Sequence, residues 1–207
     1  MDKKVSEKTI SRMTLYHCIL TDYIIKGIDT ISSPQIASLL GIDDSQVRKD
    51  ISSFLNNSGK CRVGYLVNEL KSSIEKTLGF SKPKNAIIIG AGNLGNALAN
   101  YSNFSNYGLN VLALFDTDKR KIGSAVNGKD VYSIDEIKKL TSKITVDMAI
   151  LTVPREFAQE TANLLVKEKI KYIWNFSPAV LDVPQDVQVW NENLMGNFLQ
   201  FAYKMQD

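Results

Sequence analysis

The sequence predicts an α/β protein in which a largely helical N-terminal domain precedes a doubly wound parallel sheet. Two observations predict the sheet: short, branched apolar runs alternate with helical patterns after residue 84, and one of these runs, Ala86–Ile89, leads into a Gly-x-Gly-x-x-Gly loop. The third observation is that about 80 residues precede this loop without a strand-rich layer. We therefore expect a first domain over 1–80, a linker over 81–84, a sheet domain over 85–190 and a C-terminal segment over 191–207.

The composition is that of an ordinary globular protein and excludes several classes. Of 207 residues 44% are apolar, the mean hydropathy is −0.12, and no apolar run approaches a membrane span of roughly 18–20 residues. The N-terminus lacks the apolar core of a signal peptide. Cys18 and Cys61 form no Cys-x-x-Cys pair, so we expect reduced thiols and no metal site. The sequence predicts a cytoplasmic protein without membrane contact.

The net charge of +3 lies entirely in the N-terminal part of the chain. Residues 1–82 carry 12 Lys and Arg against 9 Asp and Glu, whereas residues 83–207 carry 13 of each. A local basic surface is what contact with phosphates requires.

Three helices are predicted before residue 56. The first covers Glu7–Lys26, where apolar residues recur at helical spacing. The second has Ser33 as its N-cap and ends before Gly41. Asp43 then caps a third helix, and Gln46 three residues later completes a capping box. Two helices joined by a short turn that contains glycine are typical of a helix-turn-helix.

The third helix has one apolar face and one polar face. The apolar positions, spaced i, i+4, i+7 and i+8, are Val47, Ile51, Phe54 and Leu55. The polar face carries Gln46, Arg48, Lys49 and Ser52. An amide, two cations and a hydroxyl suit a major groove, where Gln reads adenine and Arg or Lys reads guanine or holds phosphate. The alternative is a solvated helix face.

A turn-rich basic segment follows over Asn56–Tyr65 and resembles the wing of a winged helix, whose cations contact the backbone or the minor groove. A fourth helix is predicted over Val67–Leu78, ending at Gly79. The N-terminal domain is therefore predicted to be a winged helix-turn-helix.

The glycine loop predicts a dinucleotide site of the Rossmann type. Gly90 permits a tight turn, Gly92 lets the backbone approach a pyrophosphate, and Gly95 lets the following helix pack close to the strand. Asp116 closes the next apolar run and is placed to accept hydrogen bonds from the adenosine ribose.

Further strands and helices complete the predicted sheet. A capping box at Ser133 starts one helix, strands are expected over 146–153, 172–176 and 187–190, and a helix over 157–169. The strand ends Thr152–Pro154 and Asn175–Pro178 are expected at the same crevice as the glycine loop, where such sheets bind ligands. The alternative is that they are ordinary strand-to-helix turns.

The last predicted helix, over Leu194–Met205, has a wide apolar surface. It packs either on its own sheet or on a second subunit, since exchanged terminal elements are a low-cost route to dimers.

Several runs of the sequence resemble those of one known family in order and spacing. These runs are Gln46–Asp50, Gly64–Tyr65, Gly90–Gly95 followed by Ala97–Tyr101, Phe115–Asp116, Lys121–Gly123, Thr152–Pro154 and Asn175–Pro178. Over nearly the whole chain the sequence resembles the Rex family of redox-sensing transcriptional repressors. The resemblance implies a homodimer that binds double-stranded operator DNA when NAD⁺ predominates and releases it when NADH rises. It also implies that the terminal helix is swapped to the partner subunit near the nicotinamide.

The motifs and the resemblance together assign residues to three roles, none of them catalytic. The residues expected to bind NAD(H) are Gly90, Ala91, Gly92, Asn93, Leu94, Gly95, Tyr101, Asp116, Lys121, Thr152, Val153, Pro154, Asn175, Phe176, Ser177 and Pro178. The residues expected to bind DNA are Ser45, Gln46, Arg48, Lys49, Ser52, Lys60, Arg62 and Tyr65. The residues expected at the dimer or switch contact are Cys18, Asn193, Leu194 and Phe198.

Three positions depart from the family pattern. Cys18 stands where members usually carry an arginine, Asn193 stands where an aspartate usually precedes the last helix, and Cys61 lies in a wing one residue longer than usual, at a commonly basic place. These departures bear on the strength of switching and on the operator preference.

Two other function classes fit the glycine loop. One is an NAD-dependent oxidoreductase with an accessory N-terminal domain, but the only histidine, His17, lies outside the sheet domain, and only about 20 residues follow the sheet, too few for a substrate domain. The other is a regulator that holds a different nucleotide, such as coenzyme A.

Overall fold

The computed structural model describes residues 5–54, 64–79 and 82–205. The chain divides between Lys82 and Pro83 into two compact units, each with its own apolar core. We call them the N-terminal unit and the C-terminal unit.

Helices dominate the described part of the N-terminal unit. In chain order its elements are α1 (Glu7–Ile25), β1 (Thr30–Ile31), α2 (Ser33–Leu40), α3 (Asp44–Phe54), β2 (Tyr65–Leu66) and α4 (Val67–Leu78). The strands β1 and β2 pair in antiparallel orientation. The fully buried core residues include Met13, Tyr16, Leu20, Ile36, Val47, Ile51, Leu70 and Ile74. The predicted pair of helices joined by a short turn is present as α2 and α3, and Gly41 in the turn has a φ of 63°.

The N-cap of α2 differs from the prediction by one residue. Ser32, rather than Ser33, accepts a hydrogen bond from the Gln35 N–H at 3.3 Å, and Gln35 Oε1 accepts one from the Ser32 N–H at 2.8 Å. Ser32 has extended backbone angles, as an N-cap requires, whereas Ser33 already belongs to the helix.

Asp43 caps α3 by accepting a hydrogen bond from the Ser45 N–H at 2.8 Å, as predicted. The predicted capping box is wrong, because the Gln46 side chain turns the other way and its Nε2 donates to Asp50 Oδ1 at 2.8 Å. A capping box would use the Gln46 oxygen as an acceptor for the Asp43 N–H, whereas here the Gln46 NH₂ group donates to an ionised carboxylate, which forms a stronger, charge-assisted hydrogen bond.

Most of the predicted wing, including Lys60, Cys61 and Arg62, lies outside the described residues, as does Leu55. Gly64 at its end is described and has a φ of +85°, and a Cβ at this position would lie 2.9 Å from the Ile31 carbonyl oxygen. Only glycine fits there beside β1.

The C-terminal unit is built on a seven-stranded sheet. In chain order its elements are β3 (Lys84–Ile89), α5 (Asn93–Ala99), α6 (Asn103–Asn106), β4 (Leu109–Asp116), β5 (Ala125–Val126), β6 (Lys129–Ser133), α7 (Ile137–Thr141), β7 (Met148–Leu151), α8 (Arg155–Lys167), β8 (Tyr172–Asn175), β9 (Gln188–Asn191) and α9 (Leu194–Lys204). The strand order is β5-β6-β4-β3-β7-β8-β9, and all neighbours are parallel except the β5–β6 hairpin. The predicted doubly wound parallel sheet is confirmed.

Alternate residues of the central strands pack on opposite faces of the sheet. On one face the buried strand residues Ile87, Ile89, Ala149, Leu151 and Ile173 pack with Ala158, Ala162 and Leu165 of α8. On the other face the buried residues are Ala86, Ile88, Leu114 and Ile150, with Ala99 of α5. Burial on both faces explains why these strands are continuous apolar runs in the sequence.

Element boundaries in this unit shift by up to two residues from the predicted ones. The strand predicted over 146–153 covers only Met148–Leu151, because the chain leaves the sheet at Thr152. The helix predicted over 157–169 covers Arg155–Lys167, and Lys169 beyond its end has a φ of 63°, which a helix does not accommodate.

No residue of α9 is buried in the structure. Its exposed large hydrophobic residues are Leu194, Met195, Phe198, Leu199, Phe201 and Tyr203, and Met205, just after the helix, is exposed as well. The alternative in which this helix packs on its own sheet is therefore wrong for this structure. Only two residues separate β9 from α9, and Asn193 caps the helix there by accepting from the Gly196 N–H at 2.8 Å, which keeps the start of the helix beside the end of β9.

Candidate functional site

The glycine loop joins β3 to α5 in a conformation that its three glycines explain. Gly90 has a φ of +102°, and a Cβ there would lie 2.9 Å from the Thr152 carbonyl oxygen. A Cβ on Gly95 would lie only 1.9 Å from the Gly90 carbonyl oxygen, so α5 packs directly on the loop. A Cβ on Gly92 would meet nothing within 4 Å. The space over Gly92 is therefore open, as the predicted approach of a pyrophosphate to the backbone requires.

Asp116 ties the end of β4 to the glycine loop. Its Oδ2 accepts from the Ala91 N–H at 2.8 Å and from Lys121 Nζ at 3.0 Å, and its Oδ1 accepts from the Asp118 N–H at 2.8 Å. Burial raises the pKa of Asp116, but these hydrogen bonds together with Lys121 outweigh it, and the net shift of the pKa is downward. An ionised carboxylate has about four acceptor positions, and the three hydrogen bonds described here leave one of them for a further donor.

The two predicted crevice loops besides the glycine loop, Thr152–Pro154 after β7 and Asn175–Pro178 after β8, are linked to their neighbours by side-chain hydrogen bonds. Thr152 Oγ1 lies 2.9 Å from the Gly90 carbonyl oxygen, which fastens the end of β7 to the glycine loop. Ser177 Oγ donates to the Val153 carbonyl at 2.6 Å, which fastens the loop after β8 to the loop after β7. The structure therefore brings the three predicted loops together.

Asn175 has a role that the sequence did not indicate. Its side chain is fully buried, its Nδ2 donates to the Ala179 carbonyl at 2.9 Å and to Asn191 Oδ1 at 2.8 Å, and its Oδ1 accepts from the Ser177 N–H at 2.9 Å. All these partners are protein groups, so this side chain shapes the loop and links it to the end of β9.

A row of four aromatic side chains lies on the sheet face that carries Ala86 and Ile88. Tyr101, which is 53% exposed, meets Phe104 edge to face at 5.0 Å between ring centroids, Phe104 lies 6.0 Å from Trp174, and Trp174 lies 5.1 Å from Phe176. The sequence analysis did not predict Phe104 and Trp174 as part of this site. Trp174 could have been found, because it follows Ile173 in a predicted strand and adjacent strand residues point to opposite faces of a sheet. The row places the rings of Tyr101 and Phe176 at its two ends.

Glu192 was also missed by sequence reasoning. Its Oε1 accepts from Trp174 Nε1 at 2.9 Å and from Trp190 Nε1 at 3.2 Å, two residues before α9 begins. Both tryptophans of the chain therefore share one carboxylate next to the terminal helix.

The predicted DNA-binding residues on the polar face of α3 differ in their exposure and in their hydrogen-bond partners. Arg48 is 54% exposed and forms a two-point ion pair with Asp44, at 2.5 and 3.0 Å. Such an exposed pair on one helix contributes only about 0.3–0.5 kcal/mol, so a phosphate or a guanine can displace it. Lys49 is exposed, and the exposed Ser52 donates to the Lys49 carbonyl at 2.8 Å. Gln46 is half-buried rather than fully outside.

Two other predicted DNA-binding residues lie beside this face. Ser45 is exposed in the first turn of α3, and Tyr65 is half-buried in β2. Burial raises the pKa of Tyr65, so its hydroxyl stays protonated and able to donate at neutral pH.

Asp50 connects α3 to α1 from the buried side of the recognition helix. Its side chain is 3% exposed and accepts from Arg12 Nε at 2.5 Å, Arg12 Nη2 at 2.8 Å, Tyr16 Oη at 2.8 Å and Gln46 Nε2 at 2.8 Å. Burial raises the pKa of Asp50, and the hydrogen bonds from Arg12, Tyr16 and Gln46 lower it further than burial raises it. The carboxylate is ionised at neutral pH.

This cluster predicts an acid-sensitive N-terminal unit. A carboxyl group with a lowered pKa in the folded state stabilises that state fully above its unfolded pKa of 3.8, and this stabilisation is lost as the pH falls through the folded pKa. In urea unfolding at a series of pH values, we expect Asp50→Asn to be much less stable than the unsubstituted protein near pH 7, with the gap narrowing below about pH 4. A gap that stays constant down to about pH 2 would contradict this role of Asp50.

Among residues 5–54, 64–79 and 82–205, no group of His, Cys, Asp and Glu side chains is arranged to hold a metal ion. Over the same residues, no helix is both long and apolar enough to cross a membrane.

Comparison with known proteins matches both units. The family described as "Putative DNA-binding protein N-terminus" matches residues 4–52, and the family described as "CoA binding domain" matches residues 81–179. The redox-sensing transcriptional repressor Rex of Clostridium botulinum (strain Hall) is 42% identical over 201 residues, which cover 96% of this chain and 95% of that protein. The protein of the same name from Clostridioides difficile (strain 630) is 37% identical over 206 residues, covering 100% and 98%.

Solved structures match over the same extent. The structure of RSP in complex with β-NAD⁺ and operator DNA is 36% identical, covers 97% of this chain and 92% of that chain, and has a TM-score of 0.89. The structure of RSP in complex with β-NADH is 35% identical, covers 98% and 95%, and has a TM-score of 0.86. RSP is described as a Rex-family repressor. With relatives above 30% identity that extend through both the helix-turn-helix and the glycine-loop sheet, this chain belongs to the Rex family of redox-sensing transcriptional repressors.

Proposed function

We infer that this protein is an NAD(H)-responsive transcriptional repressor that binds operator DNA through α3 and releases it when NADH occupies the crevice of the C-terminal unit. The observation that carries this function is the presence, in one chain, of a helix-turn-helix with exposed cations on its second helix and a glycine loop open over Gly92, both within the full-length match to Rex repressors. The protein acts as a cytoplasmic homodimer and is not an enzyme.

The residues of the crevice have distinct roles in this function. Gly92 lets the pyrophosphate approach the backbone, and Asp116 accepts from the adenosine ribose with its remaining acceptor position. The exposed ring of Tyr101 provides an apolar surface just after α5. Thr152 and Ser177 hold the loops that line the crevice. The bound dinucleotide supplies no chemistry to a substrate here, since its redox state is the signal.

The apolar stripe of α9 supports a homodimer. Leu, Met and Phe side chains at five positions of this helix are between 57% and 62% exposed, which is typical of a surface that is covered in an assembly. Sedimentation velocity of the purified protein tests this point directly: a dimer is expected, and Phe198→Asp combined with Leu194→Asp is expected to yield monomers.

The function is tested by titrating a protein–DNA complex with nucleotides. A duplex selected from a random pool by the purified protein is labelled, and its fluorescence anisotropy is followed while NAD⁺, NADH or coenzyme A is added. Release by NADH but not by NAD⁺ is expected. Selection of no duplex in any nucleotide state would overturn the DNA-binding function, and release by coenzyme A alone would favour the ligand that the "CoA binding domain" match indicates.

An NAD-dependent oxidoreductase is the competing class. The sequence has a single histidine, His17, which is 2% exposed within the N-terminal unit and contacts Glu75 Oε1 at 3.0 Å. This histidine serves the packing of α1 against α4. Sustained consumption of NADH with common carbonyl substrates is the result that would favour the enzyme.

Asp116 is expected to make the site select NAD(H) over NADP(H), because its carboxylate repels a 2′-phosphate. Replacing Asp116 by Asn also releases Lys121, which then faces the added phosphate as a cation. We expect the ratio of the Kd for NADPH to the Kd for NADH to fall by about tenfold. The matched control is Asp118→Asn, which removes an equal charge beside Arg120 and is expected to leave the ratio unchanged. Equal binding of NADPH and NADH by the unsubstituted protein, unaltered by Asp116→Asn, would contradict the assignment.

Cys18 and Asn193 are expected to weaken the redox switch. Cys18 is exposed on α1, and Asn193 caps α9. Both side chains are neutral, whereas the resemblance implies an arginine and an aspartate at these positions, which could form a charged pair between subunits. Replacing both partners of an ion pair by neutral groups leaves stability nearly unchanged, whereas allosteric coupling needs contacts that differ between states. We expect Cys18→Arg combined with Asn193→Asp to increase the difference between NADH and NAD⁺ in DNA release by about fivefold or more.

Each single substitution is the control for this pair. Aspartate at position 193 retains an oxygen that accepts from the Gly196 N–H, so α9 keeps its cap. Strong NADH-specific release by the unsubstituted protein that the double substitution does not alter would show that these positions do not set the switch.

A further inference from the structure

Gln46 lies in the first turn of the recognition helix α3, and its orientation is determined by Asp50. In helix-turn-helix proteins, residues near the N-terminus of this helix contact base edges. Gln46 Nε2 donates to Asp50 Oδ1 at 2.8 Å, and the Gln46 side chain is only half-buried. The NH₂ group of the amide therefore faces Asp50, while part of the Gln46 residue remains exposed.

Chemistry decides which end of the amide faces inward. An ionised carboxylate only accepts hydrogen bonds, so the NH₂ group, and not the carbonyl oxygen, must face Asp50. One of the two amide hydrogens is used in this contact. The carbonyl oxygen Oε1 and the second hydrogen remain as one acceptor and one donor, and they share one edge of the amide when the hydrogen on the Cγ side faces Asp50.

This remaining edge matches adenine. In the major groove, adenine presents N7 as an acceptor and N6 as a donor, and the amide of Gln pairs with both at once. A free glutamine loses rotamer freedom when it makes such a pair, and this loss weakens binding. A glutamine already held by Asp50 loses less on binding, as preorganised groups do.

Asp50 is itself held rigidly. Arg12 donates two hydrogen bonds to the carboxylate and Tyr16 donates a third, at 2.5, 2.8 and 2.8 Å. Arg12 and Tyr16 lie on α1, so the orientation of the Gln46 amide is set from a different helix.

We propose that Asp50, although buried and unable to touch DNA, is the positioning residue that presents Gln46 to one adenine of the operator and thereby determines base preference at that position. The inference rests on the proposed function, because it requires DNA binding by α3.

The matched control uses the two oxygens of the same carboxylate. Tyr16 Oη binds Oδ2, whereas Gln46 Nε2 binds Oδ1. Tyr16→Phe therefore removes one hydrogen bond from Asp50 and leaves the contact with Gln46 in place. Asp50→Asn removes the charge, and its side chain no longer requires the amide hydrogens of Gln46 to face it.

The test compares duplexes that the unsubstituted full-length protein selects from a random pool with NAD⁺. Each adenine in the selected site is replaced singly by 7-deazaadenine, which lacks the N7 acceptor. We expect one adenine per half-site at which the unsubstituted protein loses about tenfold or more in affinity on replacement. Gln46→Ala abolishes this discrimination, Asp50→Asn reduces it at least threefold, the double substitution equals Gln46→Ala, and Tyr16→Phe retains it.

Full discrimination by Asp50→Asn, or losses in Gln46→Ala and Asp50→Asn that simply add, would overturn the proposal. A second measurement needs no Asp50 variant. In NMR spectra of the free unsubstituted protein, the Gln46 side-chain NH₂ group is expected to be rigid. A side chain that averages freely over its rotamers would also overturn the proposal. Failure of the unsubstituted protein to select any duplex is a different outcome, which rejects the DNA-binding function itself.

Discussion

Replacing Gly95 by alanine is expected to destabilise the C-terminal unit by about 3 kcal/mol or more and to abolish dinucleotide binding. The added Cβ would lie 1.9 Å from the Gly90 carbonyl oxygen and 3.0 Å from Thr152 Oγ1. The nearer atom belongs to the backbone, so no rotamer change relieves the overlap and α5 must move away from the loop. Forcing a side chain into a packed site typically costs about 1–3 kcal/mol, and this overlap lies at or above the upper end of that range. Urea unfolding followed by circular dichroism measures the effect.

Gly92→Ala is the matched control for this prediction, since it adds the same methyl group three residues earlier. Its Cβ would meet nothing within 4 Å, and the φ of −84° suits alanine, so stability is expected to change little. If a pyrophosphate approaches the backbone here, the methyl group weakens NADH binding by about tenfold or more, or about 1.4 kcal/mol. Equal losses of stability in the two variants, or unchanged NADH binding by Gly92→Ala, would contradict the assigned roles of the two glycines.

Replacing the four cations Arg48, Lys49, Lys60 and Arg62 by alanine is expected to abolish specific operator binding. Each lost phosphate contact reduces the slope of log affinity against log salt by roughly one unit, and each lost base contact costs about 1–3 kcal/mol and relaxes the sequence preference. Arg48 is exposed and pairs with Asp44 on its own helix, and Lys49 is exposed beside it, so both are accessible to DNA. Anisotropy titrations at several salt concentrations measure the affinity and the slope.

A control with the same change in net charge replaces four exposed lysines of the C-terminal unit. Lys138, Lys139, Lys143 and Lys167 lie on or beside α7 and α8, and their removal tests whether overall charge alone explains the loss. We expect this variant to keep its operator affinity within about twofold and its salt slope nearly unchanged. Unchanged operator affinity after replacing the first four cations would reject α3 and the following segment as the DNA-binding surface.

Local signals were sufficient wherever a few neighbouring residues decide the structure. The helix predicted over Val67–Leu78 is α4 with the same bounds, because apolar spacing and the left-handed Gly79 at its end are both local. The spacing of Gly90, Gly92 and Gly95 predicted a turn between a strand and a helix, because this spacing is itself a local motif and a Cβ on Gly95 would meet the Gly90 carbonyl oxygen five residues earlier. The close approach of Gly90 to Thr152 joins distant parts of the chain, and the sequence did not reveal it.

Local sequence patterns could not predict contacts between residues that are distant in the chain. Gln46 was predicted to complete a capping box three residues away, yet its amide binds Asp50, which Arg12 holds in place from 38 positions earlier. Asp116 was predicted as a ribose acceptor, and no pattern indicated that it also binds the Ala91 N–H and Lys121. Asn175 was predicted in the crevice, but burial turns its amide toward Ala179 and Asn191.

By itself, the sequence determined the two-part organisation, the order of strands and helices along the chain, the glycine loop and the family, because periodicity, caps and short motifs act over a few residues. The tertiary structure alone decided the strand order of the sheet, the capture of Gln46 by Asp50, the fastening of three crevice loops to one another and the exposure of the apolar stripe on α9. These features depend on which surfaces meet after the chain is packed, and hydrogen-bond partners in a buried site are chosen by proximity in space and by charge, which separation along the chain does not reveal.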